Sequence, residues 1–165
     1  MGRGQDILGL VVAVVGTETV GALSAVVSGG DFERFFRELK KPVGTPPPAV
    51  FGPAWTVLYL LMGIAAWLVW REGLTREAAL ALGLFAAQLA LNFAWSLIFF
   101  GQHRIGAALF EIAALWFLIL ATSAAFWRVA PAAGALLLPY LGWVGFAAYL
   151  NAGIWRLNRG SAGAA

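Results

Sequence analysis

Cysteine is absent from the 165 residues, which excludes disulfides, thiolate metal sites and a cysteine nucleophile. Histidine occurs once, at His103, so neither a multi-histidine metal site nor a Ser/His/Asp triad has material to form from. A haem would lack a histidine ligand within any apolar stretch. Charge is scarce too: 12% of residues are Asp, Glu, Lys or Arg, against 61% hydrophobic. A soluble domain of this length cannot hide that much apolar surface, because small domains bury only part of their area. The net charge of +3 sits mostly at segment ends, where it orients a membrane protein and does not point to nucleic acid. These deficits describe an all-α, polytopic membrane protein.

Apolar runs over 7–28, 48–70, 75–100, 105–127 and 131–157 are each long enough to cross about 30 Å of hydrocarbon at 1.5 Å per residue. They form one domain, 1–165, of five crossings that leave the termini on opposite sides. A signal peptide is the competing reading of the first run, with Arg3 as its basic region and Ala22-Leu23-Ser24 as a cleavage site. The length of the run and the charge of Glu18 within it favour a span. Gly29-Gly30 is expected to end that helix and Asp31 to cap the next. Segment 31–40 (DFERFFRELK) sets Phe32, Phe35, Phe36 and Leu39 on one face, the pattern of a short interfacial helix. The loop 41–48 is stiffened by proline and suits a lid over the mouth of the bundle.

Lysine and arginine divide four (Arg3, Arg71, Arg76, Arg128) against seven (Arg34, Arg37, Lys40, Lys41, Arg104, Arg156, Arg159) between the two sides. The positive-inside bias puts the amino terminus outside and the carboxyl terminus in the cytoplasm. Short connections between the later spans make sequential helices antiparallel neighbours. An odd number of spans without a visible repeat argues against an inverted-repeat transporter.

Three stretches carry the chemistry. In PPPAVFGPAWTVLY the prolines fix where the second span starts, since proline suits a first helical turn and no later one. Phe51, Trp55 and Tyr59 then recur every four residues on one face, which makes either a wall for a flat apolar ligand or a packed interface. In the third span Gln88, Asn92, Trp95 and Phe99 form one stripe, and lipid would leave both amides unsatisfied. They serve interhelical hydrogen bonds or ligand contact. Ala79, Gly83 and Ala87 mark another face with small-xxx-small spacing, a candidate homodimer contact. In the fifth span Pro139 is expected to kink the helix by freeing the carbonyl of Ala135. Tyr140, Trp143, Ala147 and Asn151 follow near one face. Glu18 and Glu111 are intramembrane acids, hence functional candidates or protonated, hydrogen-bonded packing groups; Arg104 and His103 are positioned to screen Glu111. Of the eight tryptophans, Trp67, Trp70 and Trp127 suit the interfacial belts.

These stretches resemble the translocator protein family, also called tryptophan-rich sensory proteins or peripheral benzodiazepine receptors. The resemblance rests on Lys41-Pro42 with Pro46-Pro47 and FGPAWTVLY over 51–59, on QLALNFAWSLIFFG over 88–101, and on PYLGWVGFAAYLN over 139–151. It implies a five-helix bundle, commonly dimeric, with a ligand cavity roofed by the first loop. It further implies binding of porphyrins such as protoporphyrin IX and of benzodiazepine-site ligands, with no required cofactor or resident metal. Trp55 and Trp143 match tryptophans linked in some bacterial members to light-dependent porphyrin breakdown. Phe51, Tyr59, Asn92 and Ala147 match other cavity positions, and Glu111 a fourth-helix acidic one. With the stripes above, the expected ligand set adds Gln88, Trp95, Tyr140, Phe146 and Asn151, and the lid set is Pro42, Gly44, Pro46 and Pro47.

The departures are Gly44 where the family has tryptophan, and Phe35-Phe36 where it has Trp-Tyr. Losing the large ring at Gly44 should loosen the pocket roof. The animal sterol motif lacks its tyrosine, replaced by Ala152, so no sterol binding is expected. Three roles remain open: a receptor-like binder, a light- and oxygen-dependent degrader, and a passive transporter. Helical spans indicate a cytoplasmic-type membrane, although family members have been assigned to bacterial and mitochondrial outer membranes.

Overall fold

The structure, a computed structural model, describes residues 2–27 and 32–160; the helix stop at Gly29-Gly30 and the cap at Asp31 lie outside them. It is all-helical among those residues, with five stretches long and apolar enough to span a membrane. The first is α1 (Arg3–Val27), and the short α2 (Phe32–Glu38) follows it. Then come α3 (Pro48–Arg71), α4 (Arg76–Ser96) continued by a π-helical turn over Leu97–Gly101, and α5 (Ile105–Val129). The last crossing is divided into α6 (Pro131–Leu136) and α7 (Leu138–Asn158).

The boundaries follow local chemistry. Pro48 and Pro131 each stand at the start of a helix, where the missing N–H is no loss. The Thr75 side chain caps α4 by accepting from the Ala78 N–H at 3.1 Å. Gly73 turns the chain between α3 and α4 at φ +94°, in the region that favours glycine. The expected kink at Pro139 is a break: the chain turns at Leu137 and restarts as α7, with the proline in its first turn.

Helix α1 packs on α3 and α4, α5 on α4, α6 and α7, and α6 on α3. Around the bundle the crossings therefore run first, second, fifth, fourth, third. Glycine lets α1 and α3 approach closely. A Cβ on Gly63 would lie 2.7 Å from the Val14 Cα and from the Thr17 hydroxyl, and one on Gly21 would lie 2.5 Å from the ring of Tyr59. Thr17 uses that proximity to donate to the Tyr59 carbonyl at 2.9 Å. One half of the bundle is solid, filled by Met62, Val69, Ile119, Phe126 and Leu137, with Phe85 and Phe126 stacked at 5.5 Å. The other half is hollow.

Helix α2 lies across the hollow end. Phe36 is buried and meets Phe51 edge-on at 5.5 Å. Phe35 stacks on His103 at 4.0 Å and meets Phe99 at 6.1 Å. The loop after it is fastened along α7: the Lys40 N–H donates to the Asn158 side chain, which donates back to the Lys40 carbonyl. Pro42 packs on Gly153 so closely that a Cβ there would be 2.6 Å from its ring, and the Tyr149 hydroxyl donates to the Val43 carbonyl. Lys41 closes α2 by donating to the carbonyls of Phe36 and Leu39. Helix α2 thus packs across this end through Phe35 and Phe36, and the proline loop anchors it to α7.

Candidate functional site

Four spans enclose a chamber of about 420 Å³ at the hollow end, within the range of about 300–1,000 Å³ usual for small-molecule sites. Its aromatic walls are Phe51, Trp55 and Tyr59 from α3, Trp95 from α4, Phe100 from the π-helical turn and Trp143 from α7. Ala147 also lines it, as do Gly52, Thr56 and Ser96. Helix α1 contributes Glu18, Gly21, Ala22, Ser24 and Ala25. The four-residue spacing of Phe51, Trp55 and Tyr59 aligns these rings as expected. Trp55 lies 5.7 Å from Tyr59, and Phe51 lies 6.0 Å from Trp143 across the helix boundary.

The amide stripe of α4 stands behind this wall. The Tyr59 hydroxyl donates to Asn92 Oδ1 at 2.5 Å, Asn92 Nδ2 donates to the Tyr140 hydroxyl at 3.0 Å, and that hydroxyl donates to Gln88 Oε1 at 2.9 Å. Gln88 Nε2 completes the line at the sulfur of Met62, 3.9 Å away. Gln88, Asn92 and Tyr140 are buried in the bundle and do not reach the chamber surface. They hold Tyr59, which does. Asn151 plays a similar part: it accepts from Trp95 Nε1 at 3.3 Å and donates to the Ile105 carbonyl at 2.9 Å, fixing the indole that forms the wall. Of the two readings open for these amides, the interhelical one describes the geometry.

The remaining expected residues lie elsewhere. Phe146 packs between Trp143 and Tyr149, outside the chamber lining. Both carboxylate oxygens of Glu111 are buried without a hydrogen-bond partner. The His103 ring stacks on Phe35. Pro42, Gly44, Pro46 and Pro47 do not line the chamber. Gly44 sits at φ +86° with no atom within 4 Å of an added Cβ. Ala79, Gly83 and Ala87 are exposed on the outer face of α4.

The π-helical turn is what the sequence conceals. By closing its hydrogen bonds one residue late, it brings Phe99 and Phe100 together onto Trp95, at 5.3 and 5.6 Å. Phe100 thereby joins the wall. Trp143 Nε1 is buried without a partner, an N–H donor available to a ligand acceptor. A second hollow, of about 580 Å³, lies beside the packed core of the opposite end, between α1 and α3, and is lined by Leu8, Gly9, Val12, Trp67 and Trp70 among others. Its lining is aliphatic apart from the two indoles and Gln5; the chamber combines convergent polar groups with aromatic faces, the composition of a ligand site.

The TspO/MBR family model matches residues 10–156. A human translocator protein is 44% identical over 133 residues, 79% of each chain. The tryptophan-rich protein TspO of Archaeoglobus fulgidus is 37% identical over 154 residues, 93% of this chain and 99% of its own. The protein CrtK of Rhodobacter capsulatus is 41% identical over 143 residues, 85% and 86% of the two chains.

Proposed function

The chain belongs to the TspO/MBR family, and from that premise we propose that it is a receptor-like membrane protein whose chamber binds porphyrins and other flat apolar molecules. The observation that carries this reading is the convergence of six aromatic side chains from three spans on one cavity. Flat π-faces suit stacking against a tetrapyrrole, and Trp143 Nε1 offers it one hydrogen bond. In the cell such a binder serves tetrapyrrole regulation or transport under stress. The proposed protein is a homodimer joined through the exposed Ala79, Gly83 and Ala87 face, where small residues permit close helix approach.

A Trp-fluorescence titration with protoporphyrin IX in the dark tests this. Saturable quenching is expected, weakened in Trp55→Phe and Trp143→Phe. Quenching that does not saturate, or that ignores both substitutions, sinks the reading.

Light-dependent degradation is the second reading. Trp55 contacts both Tyr59 at 5.7 Å and Tyr140 at 6.2 Å, so an oxidised indole has neighbouring phenols to exchange an electron with. Excited porphyrin and oxygen would supply the reactive species. Illuminated complex decaying no faster than porphyrin in detergent alone eliminates it.

A further inference from the structure

The one charged residue among those lining the chamber is Glu18, on the α1 wall. It stands nine residues before the end of α1 (27 − 18), roughly 13 Å along the axis at 1.5 Å per residue. An acid at such depth is costly unless neutralised or paired, about 2.5–3.5 kcal/mol on insertion scales for Asp at a helix centre. Among the described residues no ion pair or hydrogen bond involves its side chain. The adjacent hydroxyls are engaged on backbone carbonyls, Thr17 on Tyr59 at 2.9 Å and Thr19 on Val15 at 2.7 Å. One turn further along, Gly21 admits the ring of Tyr59 against α1, with Trp55 beyond it at 5.7 Å. An unpaired carboxylate therefore faces a hollow walled by Tyr and Trp rings. Carboxylate and ring face attract the same partner, a cation with an apolar body.

We propose that the chamber also takes flat lipophilic amines, with the ammonium at Glu18 and the ring system against Trp55 and Tyr59. Glu18 then sets a preference for amines over neutral or carboxylate-bearing molecules of the same shape. A ligand carrying acids must enter with them turned away from α1. This inference shares the chamber with the porphyrin reading but does not need a porphyrin to be the ligand.

Three probes on one ring system test it: 2-naphthylmethylamine, 2-naphthylmethanol and 2-naphthoate, titrated calorimetrically into the purified protein in an uncharged detergent. The amine is expected to bind about tenfold more tightly than the alcohol, with naphthoate weakest, the margin a desolvated cation–π contact and a carboxylate supply. Glu18→Gln should bring amine and alcohol within about twofold of each other. Glu111→Gln, which alters an acid outside the chamber, should leave the wild-type preference in place. Equal binding of amine and alcohol by the wild type overturns the proposal, as does a preference that survives in Glu18→Gln. The wild-type comparison decides by itself if Glu18→Gln does not fold. Protoporphyrin IX titrated in parallel separates the two readings: its failure to bind beside an intact amine preference removes the porphyrin reading alone.

Discussion

At the scale of single residues, Asn92 has the most to lose. It accepts from Tyr59 and donates to Tyr140, so Asn92→Leu strips partners from two hydroxyls at once, one of them on a fully buried ring. An orphaned buried polar group costs about 1–3 kcal/mol, and that loss should appear as a lowered midpoint in detergent unfolding. Ligand affinity should fall with it, because Tyr59 is no longer held in the wall. An unchanged midpoint would mean that the Asn92 hydrogen bonds contribute nothing net. Gly44 predicts the opposite kind of outcome. Restoring the family's tryptophan there should not tighten the roof, since φ +86° strains any L side chain and no neighbour lies within 4 Å of its Cβ. Gly44→Trp is expected to leave porphyrin affinity unchanged or lower in the same quenching titration; a clear gain would show that the loop refolds around the new ring.

At the scale of elements, two glycines separate the packing of the bundle from the proposed pairing with a second copy. Gly63 faces the backbone of α1 at a distance no side chain tolerates. Gly63→Leu should therefore push α1 off α3, costing about 1–3 kcal/mol by overpacking and weakening ligand binding through the displaced Gly21–Tyr59 contact. Gly83 meets nothing within 4 Å. Gly83→Leu should leave unfolding unchanged and shift the purified protein from dimer to monomer on size-exclusion with light scattering. A dimer that survives removes α4 as its interface. The five spans were legible because hydropathy and proline placement mark them, and the Phe51/Trp55/Tyr59 wall was legible because rings four apart share a helix face. The α1 wall was not. Gly21, Ala22 and Ala25 carry no chemistry to notice, and their contribution is the space their small side chains leave. The π-helical turn was hidden too: nothing in LIFFG distinguishes a hydrogen bond closed at i+5 from one closed at i+4. Gln88 and Asn92 read as bundle-facing because lipid would leave their amides unsatisfied, but periodicity cannot tell a chamber surface from the layer supporting it.

At the scale of the molecule, the charge asymmetry predicts that the roofed end faces the cytoplasm. The absence of cysteine makes this simple to check, because any introduced thiol is the sole one. Leu74→Cys and Gln102→Cys lie in exposed connections at opposite ends of the bundle. A membrane-impermeant maleimide applied to intact cells, or to spheroplasts if an outer membrane intervenes, should label the first and spare the second. The reverse pattern inverts the topology and puts the chamber mouth outside. Whole-molecule neighbourhood was only half legible. Short connections make consecutive spans antiparallel, yet they do not say that the fifth crossing lies between the second and the fourth.

That ring order has a consequence for the protein's making. Trp143 and Ala147 belong to the fifth crossing, which enters a gap between α3 and α5. A nascent chain holding four crossings has five of the six aromatic side chains of its wall and an open seam toward lipid. It also lacks the α7 anchor of the roof, since Pro42, Val43 and Lys40 are fastened to Gly153, Tyr149 and Asn158. Insertion of one late helix both closes the compartment and latches its cover, so a chain with four crossings has no sealed room.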